Sequence, residues 1–234
     1  MFLLKSKYPE YYSYKGRKIS KKISISKKNL VNKFYNQISL DREIIRNHES
    51  AYISKKISLP TNFNKINIEI GFGNGEFLIK NALSYPDELF IGIEVYLNGI
   101  AKVLATILNL KLKNIILSNL NCFYFLNAMP IKSVDKIFII NPDPWIKKRH
   151  NKRRLMSFKI IQLLRSIIKS KHSIYMTTDS KNYLEDTRDL LDEYRENFGE
   201  YNVGIMSKND KLYGISKYQR KAIEKGEKIY LLTF

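Results

Sequence analysis

Residues 66–84 read INIEIGFGNGEFLIKNALS. Residues 66–70 are a short β-branched run and read as a strand. The run enters GFGNG at 71–75, and residues 76–84 follow with helical character. Strand, glycine loop and helix are the ingredients of a nucleotide-binding crossover. Glycines there permit positive φ and let the backbone approach a ligand closely. The spacing GxGxG is one residue shorter than the dinucleotide pattern GxGxxG, and a tight turn with no ligand gives the same letters. A second feature sharpens the reading. Residues 90–93 form another apolar run that ends in Glu94, 19 residues after Gly75. An acid at the end of the second strand stands where a ribose diol is hydrogen-bonded.

Further along the chain, residues 97–110 read as a helix and 114–117 as a third strand. Polar residues at 119–122 follow, placed to meet an adenine edge. Residues 134–140 make a fourth strand, 155–170 a helix and 173–177 a fifth strand ending at Thr178-Asp179. Tyr183, Leu184, Thr187, Leu190, Leu191, Tyr194 and Phe198 share one helical face. Residues 201–205 and 228–234 read as two more strands, and GISKYQRKAIEKG (214–226) between them is basic and polar, its plainer reading a hairpin-like surface connection. Alternating β and α elements predict an α/β fold with an open, mostly parallel seven-stranded sheet and helices on both faces. Ligands in such folds lie at the carboxyl ends of the strands. Glu69 to Gly75, Glu94, Asn121, Asp143 and Asp179 all fall at such ends, which argues for one site. No internal repeat is present, so residues 41–234 are expected to form one domain behind an N-terminal arm of residues 1–40.

The segment 137–155, IFIINPDPWIKKRHNKRRL, is the second informative stretch. Its apolar start is a buried strand that breaks at Pro142 and Pro144 around a single carboxylate, Asp143. The only tryptophan of the chain, Trp145, comes next, then Lys147, Lys148, Arg149, Lys152, Arg153 and Arg154. An acid, a rigid aromatic and a cationic cluster suit a flat, polyanionic substrate. The plainer reading is an edge loop and a solvated basic helix start. Trp145 either stacks on a base or packs beneath the loop.

Charge supports a nucleic-acid partner. The formal net charge is +19 and the pI is 9.8. Residues 1–60 carry 14 basic and 4 acidic groups, whereas residues 61–146 carry 7 of each. A compositional drift toward lysine would not leave the middle neutral and the flanks basic. Residues 1–40 interleave ten basic groups with Tyr8, Tyr11, Tyr12, Tyr14 and Tyr35, which suits phosphate contact with base stacking and equally a solubilising tail. Cys122 is the only cysteine, which excludes an intrachain disulfide. Three histidines without a CxxC pair argue against a structural zinc site. No run reaches the ~18 apolar residues of a membrane span, so the chain is expected to be cytoplasmic, with no membrane or metal partner. Monomer and homodimer both stay open.

IEIGFGNGEFL (68–78), FIGIEV (90–95), PDPWIKKRHNKRRL (142–155), TTDS (177–180) and SKYQRKAIEKGEKIYLL (216–232) together resemble the bacterial tRNA (guanine-N7)-methyltransferases. The resemblance runs in order over residues 13–234. It implies a Rossmann-like methyltransferase fold, S-adenosylmethionine as methyl donor, and a guanine of the tRNA variable loop as acceptor, giving 7-methylguanosine. Carried over by position, Glu69, Gly71, Gly73, Gly75, Glu94, Asn121 and Asp143 are cofactor-binding, and Asp143 is also catalytic. Lys147, Asp179, Ser216, Lys217, Tyr218 and Gln219 match substrate-binding positions. Four residues depart from the family pattern. Asn121 stands for an acid, Gln219 for a glutamate, Asn141 for an apolar residue, and Ile146 for proline or histidine. Two rival readings remain on the residues: a nicotinamide-dependent oxidoreductase, from the glycine loop and distal acid, and an RNA-binding protein of the same fold with altered or lost methyl transfer.

Overall fold

The structure, a computed structural model, describes residues 23–44, 56–207 and 216–234, without the side chains of Asn197, Lys217 and Tyr218. Its strands are β1 (Lys65–Ile70), β2 (Glu88–Ile93), β3 (Ile115–Ser118), β4 (Lys136–Ile140), β5 (Ile174–Thr178), β6 (Asn202–Ile205) and β7 (Tyr230–Thr233). They form a seven-stranded sheet in the order β3-β2-β1-β4-β5-β7-β6. Pairings β1–β2, β2–β3 and β4–β5 are parallel, and β7 runs antiparallel to both β5 and β6. The mostly parallel sheet read from the alternation is present. Its parallel strands are continuous apolar runs because helices cover both faces. The chain clusters into two compact units, Met1–Pro130 and Ile131–Phe234.

In the first unit, α1 (Ile25–Phe34) starts at Ser24, whose hydroxyl accepts from the Lys27 amide at 3.3 Å. Leu30, Val31 and Phe34 pack, with buried Tyr35, onto a core that includes Phe72, Phe90, Leu117 and residues of α3 (Leu97–Leu110). The part of the basic arm that the structure describes is thus built into the core; residues 1–22 lie outside the described residues. Helix α2 (Glu76–Ser84) begins directly behind the glycine loop, with Gly75 as its N-terminal boundary. A helix not foreseen in the sequence, α4 (Cys122–Ala128), follows β3.

In the second unit, β4 starts at Lys136, two residues later than expected; Val134 makes an isolated parallel bridge to Ile168 instead. Helix α5 (Phe158–Ile167) is capped by Ser157. The apolar face expected over 183–198 is divided between α6 (Lys181–Glu193) and α7 (Arg195–Phe198). Tyr194 leaves helical geometry at the break and packs on Phe158 with ring centroids 4.3 Å apart. The basic, polar segment between β6 and β7 is no plain hairpin-like connection, because it carries α8 (Lys217–Glu224). Its capping box explains the difference. The Ser216 hydroxyl accepts from the Gln219 amide at 3.2 Å, and Gln219 Oε1 accepts from the Ser216 amide at 2.9 Å.

Candidate active site

The glycine loop turns through left-handed geometry at Gly71, Gly73 and Gly75, with φ of 77°, 54° and 74°. The three serve different ends. A Cβ on Gly75 would lie 2.1 Å from Val103 Cγ2, so that glycine lets α3 close on the loop. A Cβ on Gly71 or Gly73 would meet nothing within 4 Å, so their backbone faces open space. Gly99, in the first turn of α3, comes so near that its Cβ would lie 2.1 Å from the Gly73 carbonyl oxygen. The sequence signal for it was a glycine inside a helical pattern.

Glu94 fixes this loop. Its Oε2 accepts from the Gly73 amide at 2.8 Å, and its Oε1 accepts from the Val95 and Tyr96 amides at 2.7 and 2.9 Å. Three charge-assisted bonds hold one carboxylate still. The structure thus joins two residues that the sequence placed in one site. Glu69, on β1, is buried, and its Oε2 has no hydrogen-bond partner. Burial pushes its carboxyl up to about 8, the Glu94 charge adds to the rise, and a bond from the Leu78 amide offsets part of it. Glu94, bound by three amides, and Glu69, whose carboxyl burial keeps largely protonated at neutral pH, therefore stand beside the loop.

Asn121 is the N-cap of α4, and its Oδ1 accepts from the Phe123 amide at 3.0 Å. Asparagine and aspartate cap almost equally well, so this departure leaves the local backbone unchanged. Asp41, bonded at the end of β3, is a residue the sequence reading missed. Asp41 is buried and accepts from Tyr35 Oη and Ser118 Oγ, each at 2.6 Å, and from the Asn119 amide at 2.9 Å. Asn119 in turn donates its side-chain N–H to the Glu94 carbonyl at 3.0 Å. Burial raises the Asp41 carboxyl, and the bonds from Ser118, Tyr35 and Asn119 work against the rise. One buried acid thus ties residues 35–41 to the end of β3.

In the second unit, β4 gives way to the Asp143 loop at Asn141, which takes φ 46°. Asparagine tolerates that region better than an apolar side chain does. The Asn141 amide donates to the Thr177 carbonyl at 3.0 Å, and Thr177 Oγ1 donates to Asn141 Oδ1 at 2.8 Å. Thr177 Oγ1 also accepts from Gln219 Nε2 at 3.0 Å. Two departures from the family pattern, Asn141 and Gln219, are therefore joined through one hydroxyl. Gln219 is only 1% exposed, and its amide is spent on Thr177 and on the cap of α8. Ser216, expected with it on the substrate side, is half-buried and completes that cap. The side chains of Lys217 and Tyr218 lie outside the described residues.

Asp143 is exposed, between Pro142 and Pro144. Trp145 has φ 45° and is held within its own segment. The His150 ring meets it edge-on at 5.7 Å, and the Arg153 guanidinium lies 4.9 Å over it. A 3₁₀ turn, Lys148–Arg153, then displays the cations. Lys147, Lys148, Arg149, Lys152 and Arg153 are exposed, and so is Ile146. Desolvation, then the charges of Arg153, Arg149 and Lys147, lower the His150 imidazole from its usual value. Arg154, grouped with the exposed cations in the sequence, is instead buried. Asp179 is half-buried at the junction of β5 and α6.

Among the described residues no group of three His, Cys, Asp or Glu is arranged to hold a metal ion, and no helix is long and apolar enough to cross a membrane. A family model described as "Putative methyltransferase" matches residues 64–232. The chain is 36% identical over 190 residues to the bifunctional methyltransferase of Rickettsia felis, covering 79% of this chain and 35% of that protein. It is 35% identical over 166 residues to the tRNA (guanine-N(7)-)-methyltransferase of Wolbachia pipientis wMel, covering 70% of this chain and 72% of that one. The chain spans about a third of the length of the bifunctional relatives and most of the Wolbachia protein. Among solved structures, an antibiotic-related methyltransferase shares the fold, with a TM-score of 0.52 at 16% identity over 77% of this chain and 96% of that one.

Proposed function

Because this chain belongs to the bacterial tRNA (guanine-N7)-methyltransferase family, we propose that it transfers a methyl group from S-adenosylmethionine to N7 of a guanine in the tRNA variable loop. The observation that carries the reading is Asp143, an exposed carboxylate on a proline-bracketed loop that runs straight into five exposed cations. We take residues 41–234 as the catalytic body, with α1 and Tyr35 packed onto it, and the basic residues that precede α1 as an arm toward the RNA.

The donor-side residues fit their ligand. Glu69 has an orphaned buried oxygen, and the Gly71 and Gly73 backbone faces open space. When bound, S-adenosylmethionine supplies a methyl group on a sulfonium, open to in-line displacement. Glu69, Gly71, Gly73, Gly75, Glu94, Asn121 and Asp143 would hold it. Glu94 would turn its remaining acceptor capacity to the ribose hydroxyls. Guanine N7 has a free lone pair and no proton, so no general base is needed at that atom. The chain must align the purine and stabilise the positive charge it gains. Asp143 does both by accepting from the guanine N1–H and exocyclic amine while its charge faces the purinium. Lys147, Asp179, Ser216, Lys217 and Tyr218 would, by the resemblance, serve the RNA. Gln219 sets their turn from within, through Thr177 and the cap of α8.

The direct test is incubation with unmodified tRNA and methyl-labelled S-adenosylmethionine, followed by nucleoside analysis. Labelled 7-methylguanosine is the expected product. Binding of tRNA without methylation would leave the RNA-binding alternative, and methylation of another nucleoside would overturn the acceptor. Asp143→Asn is expected to bind donor and tRNA within about tenfold of wild type, while its single-turnover rate constant falls about 100-fold.

A further inference from the structure

Arg154 stands in a run of cations, and its neighbours face solvent. Its own side chain is 3% exposed. Nε donates to the Pro144 carbonyl at 2.8 Å, one terminal nitrogen pairs with the Asp186 carboxylate, and the other donates to Asn182 Oδ1 at 2.7 Å. The guanidinium plane lies 4.8 Å over the ring of Tyr183. Asn182, Tyr183 and Asp186 all belong to α6. Tyr183 is itself buried, and its hydroxyl accepts from the Met156 amide at 3.2 Å. Asp186 also accepts from Asn151 Nδ2 at 3.1 Å. One planar fork thus joins the Asp143 loop to the rigid buried face of a helix.

We propose that Arg154 is a positioning residue for the transfer step. It fixes the Pro144 carbonyl and through it the direction of the Asp143 carboxylate. The physical reason lies in the loop's remaining freedom. Pro142 and Pro144 lock their own φ angles. Asn141 is bound to Thr177 on one side, and Trp145 is held by His150 and Arg153 on the other. The rotation left between these anchors carries the Pro144 carbonyl, and Arg154 Nε holds that oxygen. A nearby exposed cation cannot replace the contact, because a flexible ammonium lacks the fork that reaches three acceptors at once.

The inference rests on the methyltransferase reading, so the test separates the two. Trp145, the only tryptophan, reports the loop without any substrate. Arg154→Lys keeps the charge and loses the fork. Its expected effects are greater acrylamide quenching of Trp145 and a single-turnover rate about 10- to 100-fold below wild type at saturating donor and tRNA. The slope of log K for tRNA against log salt is expected to stay at the wild-type value. Asp186→Asn, which keeps an acceptor for Arg154, is expected to move quenching and rate the same way by less. Melting temperatures above the assay temperature keep loss of fold out of the rate. A slope flattened by about 0.7–0.9 would make Arg154 a phosphate contact and overturn the proposal. A lower melting temperature with wild-type quenching and rate would make it a stability residue and overturn it too. If wild type yields no 7-methylguanosine, the function fails, while Trp145 quenching still decides whether Arg154 sets the loop.

Discussion

At the residue scale, Glu69 stores free energy that pH can read out. Its carboxyl sits at about 8 in the folded protein against an ordinary 4.5, chiefly through burial. The folded state keeps a proton that the unfolded chain releases. Stability from this group is therefore full below about pH 4.5 and is lost as pH rises through about 8. Each unit of separation corresponds to about 1.4 kcal/mol. Glu69→Gln has no proton to lose, so without donor its melting temperature should fall less than that of wild type between pH 5 and 8. Parallel melting curves for the two proteins across that range would show that Glu69 ionises freely and that its orphaned oxygen is not a strained site. The same scale shows why a residue type does not define a role. Six cations in one short run divide into five that face solvent and one that is spent inside.

At the element scale, the loop between β1 and α2 separates glycines that look alike in the sequence. Gly75→Ala puts a methyl group into Val103 and strains a residue at φ 74°. We expect it to cost about 2–4 kcal/mol of folding stability. Gly73→Ala meets open space at φ 54°. We expect it to cost about 1–2 kcal/mol from left-handed strain, and to weaken donor binding because the methyl group projects where the backbone is open. Urea midpoints and calorimetric donor affinities check both variants. Equal stability losses with unchanged donor affinity would show that the two glycines do the same job. Helix α8 makes a related point. Its start is defined by the reciprocal bonds of Ser216 and Gln219 and by a tie from Gln219 to Thr177. A polar, basic segment becomes a helix because its first turn is capped and anchored and because Ala222 and Ile223 pack with Met206 and Ile229.

At the scale of the whole molecule, charge is gathered in the flanks while the middle of the chain is neutral. Deleting residues 1–22 removes Lys5, Lys7, Lys15, Arg17, Lys18, Lys21 and Lys22 and leaves Tyr35, Asp41 and their partners in place. We expect tRNA affinity to fall and its salt slope to flatten by about 0.7 for each phosphate that the shortened chain no longer neutralises, with donor affinity unchanged. A truncated protein with the wild-type slope would make those cations bystanders. Read alone, the amino-acid order specifies the strands of the sheet, the glycine loop, the acid at the end of β2 and the proline-bracketed Asp143. Each of these is written in a short window, as a run of apolar residues, a required positive φ or a fixed ring. Only the folded chain settles that Arg154 turns inward, that Asp41 ties residues 35–41 to the end of β3, that Gln219 is buried, and which glycine packs and which opens. Those outcomes depend on partners 32, 77 and 42 positions away for Arg154–Asp186, Asp41–Ser118 and Gln219–Thr177. No local pattern carries such information, because burial and hydrogen-bond satisfaction are settled by what folding brings alongside.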